Sequence, residues 1–422
     1  MSKRRVVITG LGLVSPVGNN VDEAWASVRA SRSGLGPITL FDASSFDVQV
    51  AAEVKGFDIT AYGIESRAVR KMARFTQFLL GASAQAISDA GYDEERMSHE
   101  GQRLGICVGN CFGGMDVQEE SFKRYFDPAI GPSRIPPLTA PLMIMNEAAA
   151  NVSIFYGLQG PAWTIATACA SGSDALGQAA QAIRSGMLDV CISGGTESNI
   201  CGFGMATFSA LLALSTHYND TPQTASRPFD RTRDGFVFGE GAAVLVLEEL
   251  EHAKKRGATI YAELAGYGSS SDAHHITAPL KDGSGAALAL RKALSDAEVS
   301  PQDVQYYNAH GTSTQANDAS ESRMLKSVFG EHAYSLKVSS TKSMTGHMVG
   351  AAGAIEALFC VKAIQDGFFP PTINLNEPDI ENGCDLDYVP NVGVEGRIEV
   401  ATSASLGFGG HNAVLVVKRF KE

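Results

Sequence analysis

The sequence predicts an α/β protein built on layers of substantially parallel sheet and helix. Short β-branched runs alternate with Ala-rich helical stretches along the chain. The hydrophobic fraction is 44% against 19% charged residues, the balance of a core-rich globular chain rather than a disordered one. Glycine numbers 44, and so many permissive positions point to tight turns and close backbone approach around sites.

In chain order, strands are expected at residues 6–9, 104–108, 190–193, 243–248, 338–341 and 413–417. Helices are expected at 75–90, 169–185, 285–297 and 351–364. The 422 residues exceed one minimal domain. The best division falls near 252–259, where a charged helix end, HAKKRG, precedes a new strand at 260–264. This gives an N-terminal half, 1–255, and a C-terminal half, 256–422. Each holds one Ala/Gly-rich helix after a strand and a small-residue loop, a pattern consistent with distant duplication.

The formal charge of −12 argues against a nucleic-acid partner, while leaving room for a local basic patch. Seven cysteines without a CxxC pair resemble neither a disulfide framework nor a zinc site, and their odd number favours a reducing compartment. No apolar run reaches the roughly 18 residues of a membrane span. The N-terminal MSKRRVVITGLGLVSPVG imitates a signal peptide, but Gly10, Gly12 and Pro16 interrupt its apolar stretch. It reads instead as a first buried strand over 5–9, and the protein as cytoplasmic, with no membrane partner.

Gly10-Leu11-Gly12 resembles the start of a dinucleotide fingerprint. Ser15 stands at the third glycine position and Pro16 follows, so a tight turn is the better reading. The run from Trp163 to Ser173 is more informative. An extended segment meets Cys169, and an Ala-rich helix is expected to begin at that residue and stop at Gly186. Such an elbow pushes a side chain into a pocket, and the helix N-terminus would favour a thiolate. At an unperturbed pKa only about 3% of a thiol is ionised at pH 7. Cys107, Cys191 and Cys360 look like small buried residues.

His310, in NAHGTST, and His347, in KSMTGH, sit on loops at strand ends between small residues, where substrate can approach. His99, His217, His252 and His332 look like surface or packed residues. Neither His310 nor His347 has a second ligand at metal spacing, so no metal is expected. A fourth loop, Leu406-Gly407-Phe408-Gly409-Gly410-His411-Asn412, would expose backbone N–H groups beside an aromatic gate.

Together these segments resemble the β-ketoacyl-acyl carrier protein synthases, types I and II, of the thiolase superfamily, with the type II pattern closest. The ordered set includes VVITGLGLVSPVG, ATACASG, SRPFDRTRDGFVFGEGAA, NAHGTST, SSTKSMTGHMVGAAGA, PPTINL and SLGFGGHN. The resemblance implies a thiolase-like five-layered αβαβα sandwich of two similar halves. It also implies a homodimer with the strand at 163–168 at its contact. The implied reaction is a decarboxylative Claisen condensation in fatty acid elongation. An acyl group passes from carrier protein to Cys169, and malonyl-carrier protein then supplies two carbons.

On this resemblance Cys169, His310 and His347 form the triad. Lys342 is an electrostatic neighbour paired with Glu321, which orders the site. The N–H groups of Cys169 and Phe408 form an oxyanion hole. Thr312 and Thr314 bind the phosphopantetheine arm, and Phe112 and Phe208 line the acyl pocket. Arg67, Arg70 and Lys71, expected on one helix in SRAVRKMARF, and Arg134 would dock the acidic carrier protein. No cofactor of the protein's own is implied. A ketosynthase of a specialised polyketide or polyene pathway and a non-catalytic acyl-binding subunit are the alternatives; the complete triad argues against the latter. Gln315-Ala316-Asn317-Asp318 departs from the family's usual Pro-x-Gly-Asp. Phe112 stands where a smaller aliphatic residue is common, which implies short, medium or flat unsaturated acyl chains.

Overall fold

Residues 4–422 are described by the computed structural model. The main strands are β1 (Val6–Val14), β2 (Leu104–Gly109), β3 (Ala162–Ile165), β4 (Val190–Glu197) and β5 (Gly241–Glu249), then β6 (Ala262–Ser271), β7 (Tyr306–Asn308), β8 (Lys337–Ser339), β9 (Val400–Gly407) and β10 (His411–Lys418). The helices that position the site are α1 (Arg74–Asp89), α2 (Glu147–Tyr156), α3 (Ser171–Arg184), α4 (Gly202–Ser209), α5 (Ser284–Asp296), α6 (Gln315–Phe329) and α7 (Ala352–Asp366).

The strands run in the order β8-β7-β9-β10-β6-β1-β5-β4-β2-β3. Each strand of the second half takes the place of the strand five earlier in the first. The pairings repeat as well. β1–β5 and β6–β10 are antiparallel, as are β5–β4 and β10–β9. β4–β2 and β9–β7 are parallel, as are β2–β3 and β7–β8. The sheet is therefore mixed rather than wholly parallel. A short antiparallel contact, Val7 with Glu263 and Ile8 with Ala262, joins the halves.

Helices α3 and α7 contact each other and strands of both halves. Helices α1 and α2 cover the first half outside, and α5 covers the second, with α6 packed on α5. Five layers result. Strand alternation explains the continuous apolar runs, because both faces are buried. In β5, Ala243, Leu245 and Leu247 face the central core, while Ala242, Val244 and Val246 face the outer one. In β10, Leu415 and Val417 face the centre, and Val414 and Val416 face outward. Helix α7 is apolar on nearly all sides because it lies between sheets. It crosses α3 closely through glycines: a Cβ on Gly353 would lie 2.2 Å from Ser173 Oγ, and one on Gly172 would lie 2.9 Å from the Ala354 nitrogen.

Gly10 and Gly12 form no turn. They lie inside β1, where the register slips between Ile8 and Gly10. Added Cβ atoms would meet the Ala86 and Ala82 carbonyl oxygens at 2.2 and 1.9 Å, so these glycines let α1 pack directly on the strand. Among the described residues, no helix is long and apolar enough to cross a membrane.

Candidate active site

The repeated topology gathers the site at corresponding strand ends. Strand β3 leads into Cys169 and α3, while its counterpart β8 leads to His347 and α7. Strand β2 leads to Cys111 and Phe112; its counterpart β7 leads to His310. Strand β4 ends at Glu197, and β9 runs into Phe408.

The elbow after β3 is sharply turned. Ala168 has a φ of 51°, in the left-handed region. Ser171 Oγ accepts from the Thr167 N–H at 2.9 Å and donates to the Ala168 carbonyl at 2.6 Å. Gly407 passes against this turn, where a Cβ would lie 2.7 Å from the Thr167 carbonyl oxygen. Helix α3 starts at Ser171, two residues beyond Cys169, so the expected helix start at the cysteine is corrected. The expected thiolate bias is corrected with it. Burial pushes the Cys169 thiol up to about 12; the Lys342 ammonium and the Phe408 and Cys169 N–H groups pull the other way without prevailing.

His347 Nε2 lies 3.0 Å from Cys169 Sγ. The His310 and His347 rings are perpendicular, with centroids 5.3 Å apart. His347 is fixed by its main chain: its N–H donates to the Val237 carbonyl at 2.7 Å, and its carbonyl accepts from the Gly239 N–H at 3.0 Å. The Phe236 ring packs edge-on against the imidazole. His310 is held through Glu321, whose carboxylate accepts the His310 and Gly311 N–H groups, each at 2.8 Å. Burial, and secondarily the Lys342 charge, hold both imidazoles well below their ordinary pKa. Both are neutral at pH 7.

Lys342 does not pair with Glu321 as expected. Its Nζ pairs with Glu356 on α7, and each side chain is only 1% exposed. Glu321 is occupied instead by backbone N–H groups and by the Tyr307 hydroxyl. A lone carboxylate in the otherwise apolar AAGAIEALFC was the available sign of Glu356, since a buried charge needs a partner.

Cys169, both histidines, Phe112, Phe208, Phe408, Thr312 and Thr314 all line one pocket of about 520 Å³. The Thr312 and Thr314 hydroxyl oxygens lie 2.9 Å apart. Phe208 meets Phe112 edge-on at 5.7 Å and stacks on Phe408 at 6.1 Å. Sequence reasoning missed Cys111, Phe236 and Val349 on this wall. The alternation Phe236-Val237-Phe238 was a usable signal, because an extended chain turns alternate residues to one side.

The structure also brings three metal-capable atoms, from Cys169, His310 and His347, within 4.8 Å of one another. Spacing along the chain could not reveal this. A buried ammonium close enough to depress both imidazoles works against a further cation there.

Arg67, Arg70, Lys71 and Arg134 are exposed, and among the described residues none forms an ion pair. The single helix expected for SRAVRKMARF is corrected. One turn, Ser66–Val69, ends before Arg70, and α1 starts at Arg74, whose guanidinium turns inward to the buried Glu240. Arg134 closes a separate turn, Pro132–Arg134. Cys107, Cys191 and Cys360 are buried. His99 is exposed, His217 is largely so, His252 pairs with Glu248 and His332 bonds the Val304 carbonyl.

Residues 3–253 match the family model described as beta-ketoacyl synthase, N-terminal domain, and residues 261–376 match the C-terminal domain. A 3-oxoacyl-[acyl-carrier-protein] synthase 2 of Coxiella burnetii is 49% identical over 99% of both chains. The protein of the same name from Synechocystis is 46% identical over 100% of this chain and 99% of the relative. Among solved structures, the ishigamide ketosynthase/chain length factor superposes with a TM-score of 0.93 at 37% identity, covering 100% of both chains. A type II polyketide ketosynthase bound to its acyl-carrier protein gives 0.92 at 37%, over 99% of this chain and 100% of that one. The chain belongs to the β-ketoacyl synthase family.

Proposed function

We propose that this protein is a 3-oxoacyl-acyl carrier protein synthase that extends acyl chains in fatty acid elongation. The observation that carries the reading is the contact of Cys169 with one of two neutral, buried histidines at the floor of an apolar pocket.

In the first half-reaction Cys169 Sγ attacks the acyl thioester carbon of the carrier protein. The Cys169 and Phe408 N–H groups hydrogen-bond the oxyanion that forms, and the pantetheine thiol leaves with a proton. Because burial disfavours the free thiolate, the proton leaves Sγ only as attack proceeds and passes to the departing pantetheine sulfur, while His347 Nε2 hydrogen-bonds Sγ at 3.0 Å. The malonyl thioester then enters along Thr312 and Thr314. His310 and His347 donate to its thioester oxygen. The bond to the carboxylate breaks, carbon dioxide leaves, and the electron pair becomes an enolate. Its carbon attacks the acyl-Cys169 carbonyl, and the sulfur departs and takes up a proton from solvent, restoring the thiol. Neutral imidazoles suit this step, since an imidazolium would protonate the carbanion. The residues supply hydrogen bonds and a nucleophile, and no metal or cofactor of the protein's own takes part.

The names of the relatives support this reading, as does the carrier protein in one structural neighbour. An acidic carrier protein would dock on Arg67, Arg70, Lys71 and Arg134, against a chain of net charge −12. Strand β3 ends the sheet with a half-exposed face, an edge suited to pairing with a second copy in a homodimer. A cytoplasmic location accompanies this chemistry. One observation favours a second pathway for the same reaction: the Phe112 ring fills the wall beside Phe208, which suits the flat or short chains of a specialised ketosynthase.

The test is Cys169→Ser with acyl-carrier protein, followed by intact mass spectrometry. The wild type should gain one acyl adduct on Cys169, and the variant should lose nearly all condensation. A stable adduct on another cysteine with the variant still active refutes the assignment.

A further inference from the structure

Glu197 ends β4 and is fully buried, yet it does not line the pocket and no step above uses it. Its Oε2 accepts the Cys111 N–H at 3.0 Å and the Gly350 N–H at 3.1 Å. Its Oε1 accepts Asn110 Nδ2 at 3.2 Å, and the Phe112 N–H is a further donor. Among the described residues no Lys or Arg pairs with it. One carboxyl group thus ties the segment that carries Phe112 to a residue three positions after His347. Gly350 admits this arrangement only because it has no side chain: a Cβ would lie 2.7 Å from Glu197 Oε2 and 2.9 Å from the Cys111 nitrogen.

Burying a carboxyl group costs free energy unless directional hydrogen bonds satisfy it; burial pushes Glu197 up to about 8, and the N–H donors around it pull the other way. Here those bonds come from two segments with separate duties under the condensing reading, on which this inference rests. The Asn110–Phe112 turn shapes the acyl wall, and the His347–Gly350 turn places an enolate donor. We propose that Glu197 is a positioning residue that sets the acyl wall and His347 in one frame, so that acyl-length selection and malonyl decarboxylation depend on the same side chain.

Glu197→Gln keeps the size and removes one acceptor. Either the paired Cys111 and Gly350 N–H groups or Asn110 Nδ2 then faces an amide NH2. Gly350→Ala disturbs the same anchor from the other side. Two readouts are taken on each full-length enzyme: acylation of Cys169 across saturated acyl-carrier proteins of six to sixteen carbons, and carbon dioxide release from malonyl-carrier protein. Glu197→Gln should move the preferred acyl length and slow decarboxylation at least about tenfold more than acylation of the best chain, since a misplacement near 1 Å can cost about 100-fold. Gly350→Ala should give the same signature, and the double variant should be no worse than the worse single one. An unchanged length profile with unchanged decarboxylation overturns the proposal. So does a uniform loss at all lengths and in both half-reactions with a lowered Tm, the mark of a merely structural role. If Glu197→Gln does not fold, Gly350→Ala carries the same two readouts. A wild type that releases no carbon dioxide refutes the condensing reading itself, whereas an active wild type with unchanged variants refutes only this inference.

Discussion

Replacing each histidine by alanine should separate the two half-reactions, and by different amounts. His347 Nε2 touches Cys169 Sγ at 3.0 Å, whereas among the described residues His310 makes no hydrogen bond to that sulfur. In decarboxylation each imidazole loses one donor to a developing enolate in a buried site, worth about 10²–10³ in rate. In acylation His347→Ala removes one contact to the sulfur, a hydrogen bond of about 0.5–1.5 kcal/mol, or roughly a two- to tenfold loss. The Lys342 charge and the two N–H groups at the sulfur remain. His310→Ala should leave acylation nearly unchanged. Intact mass spectrometry after a single acyl transfer reads the first half-reaction, and labelled carbon dioxide from malonyl-carrier protein reads the second. Equal losses in both half-reactions for either variant would refute the division of labour. The pH dependence gives a second check. Both imidazoles are held well below 6.5 by burial, so the rings themselves stay neutral from pH 6.5 to 8; any titration of decarboxylation in that window belongs to neighbouring carboxyls such as Glu321 and Glu356, which burial pushes up to about 7. The sign for stability follows: the unfolded chain binds protons at these histidines that the native state refuses, so stability falls as pH drops below about 6.5. A rate limb with an apparent pKa near 6.5 that persists in both Glu321→Gln and Glu356→Gln would mean that the imidazoles titrate in the active enzyme.

Phe112→Ala should extend the range toward long saturated chains, because its ring closes the wall against Phe208; a variant that only loses stability, with an unchanged chain preference, refutes this. Charge reversal at Arg67 and Lys71 together should raise KM for acyl-carrier protein but not for a small acyl thioester. The effect should shrink with salt, as exposed charges are screened over about 10 Å at 0.1 M, and unchanged carrier kinetics would move the docking surface. Glu356→Gln leaves the 1%-exposed Lys342 ammonium without its counter-charge. Breaking a buried pair costs about 3–5 kcal/mol, read by denaturant unfolding, and a loss within error of zero would show that water or another group takes over.

The strands and helices of the core could be read from the chain because their periodicities are local properties. Helix 285–297 is Ser284–Asp296, and the strand at 190–193 grows to Val190–Glu197. Errors arose where a local rule was overruled by a distant element. Gly10 and Gly12 look like a turn until α1 is laid across them, at which point a strand needs glycine just as much. SRAVRKMARF looks like one helix until Arg74 is drawn to Glu240. Lys342 was given to the wrong carboxylate because Glu321 and Glu356 are equally plausible along the chain. Only the fold shows that Glu321 is already spent on the backbone of His310. The resemblance supplied the triad, and the residues alone had supplied its three loops without their contacts.

The repeated topology explains why this site can exist at all. A parallel strand followed by a helix offers one side chain at an elbow, and such elbows bind ligands at strand ends in many α/β proteins. Here two such units are joined through β1 and β6, with α3 and α7 as a shared central layer. Their crossing at Gly172 and Gly353 brings the two elbows together, one offering a thiol and the other an imidazole. Nucleophile and one enolate donor thus come from equivalent places in the two halves. The same crossing explains the glycines: any side chain at Gly353 would push α7 off Ser173 and carry His347 away from Cys169, separating the two residues the reaction needs at 3.0 Å.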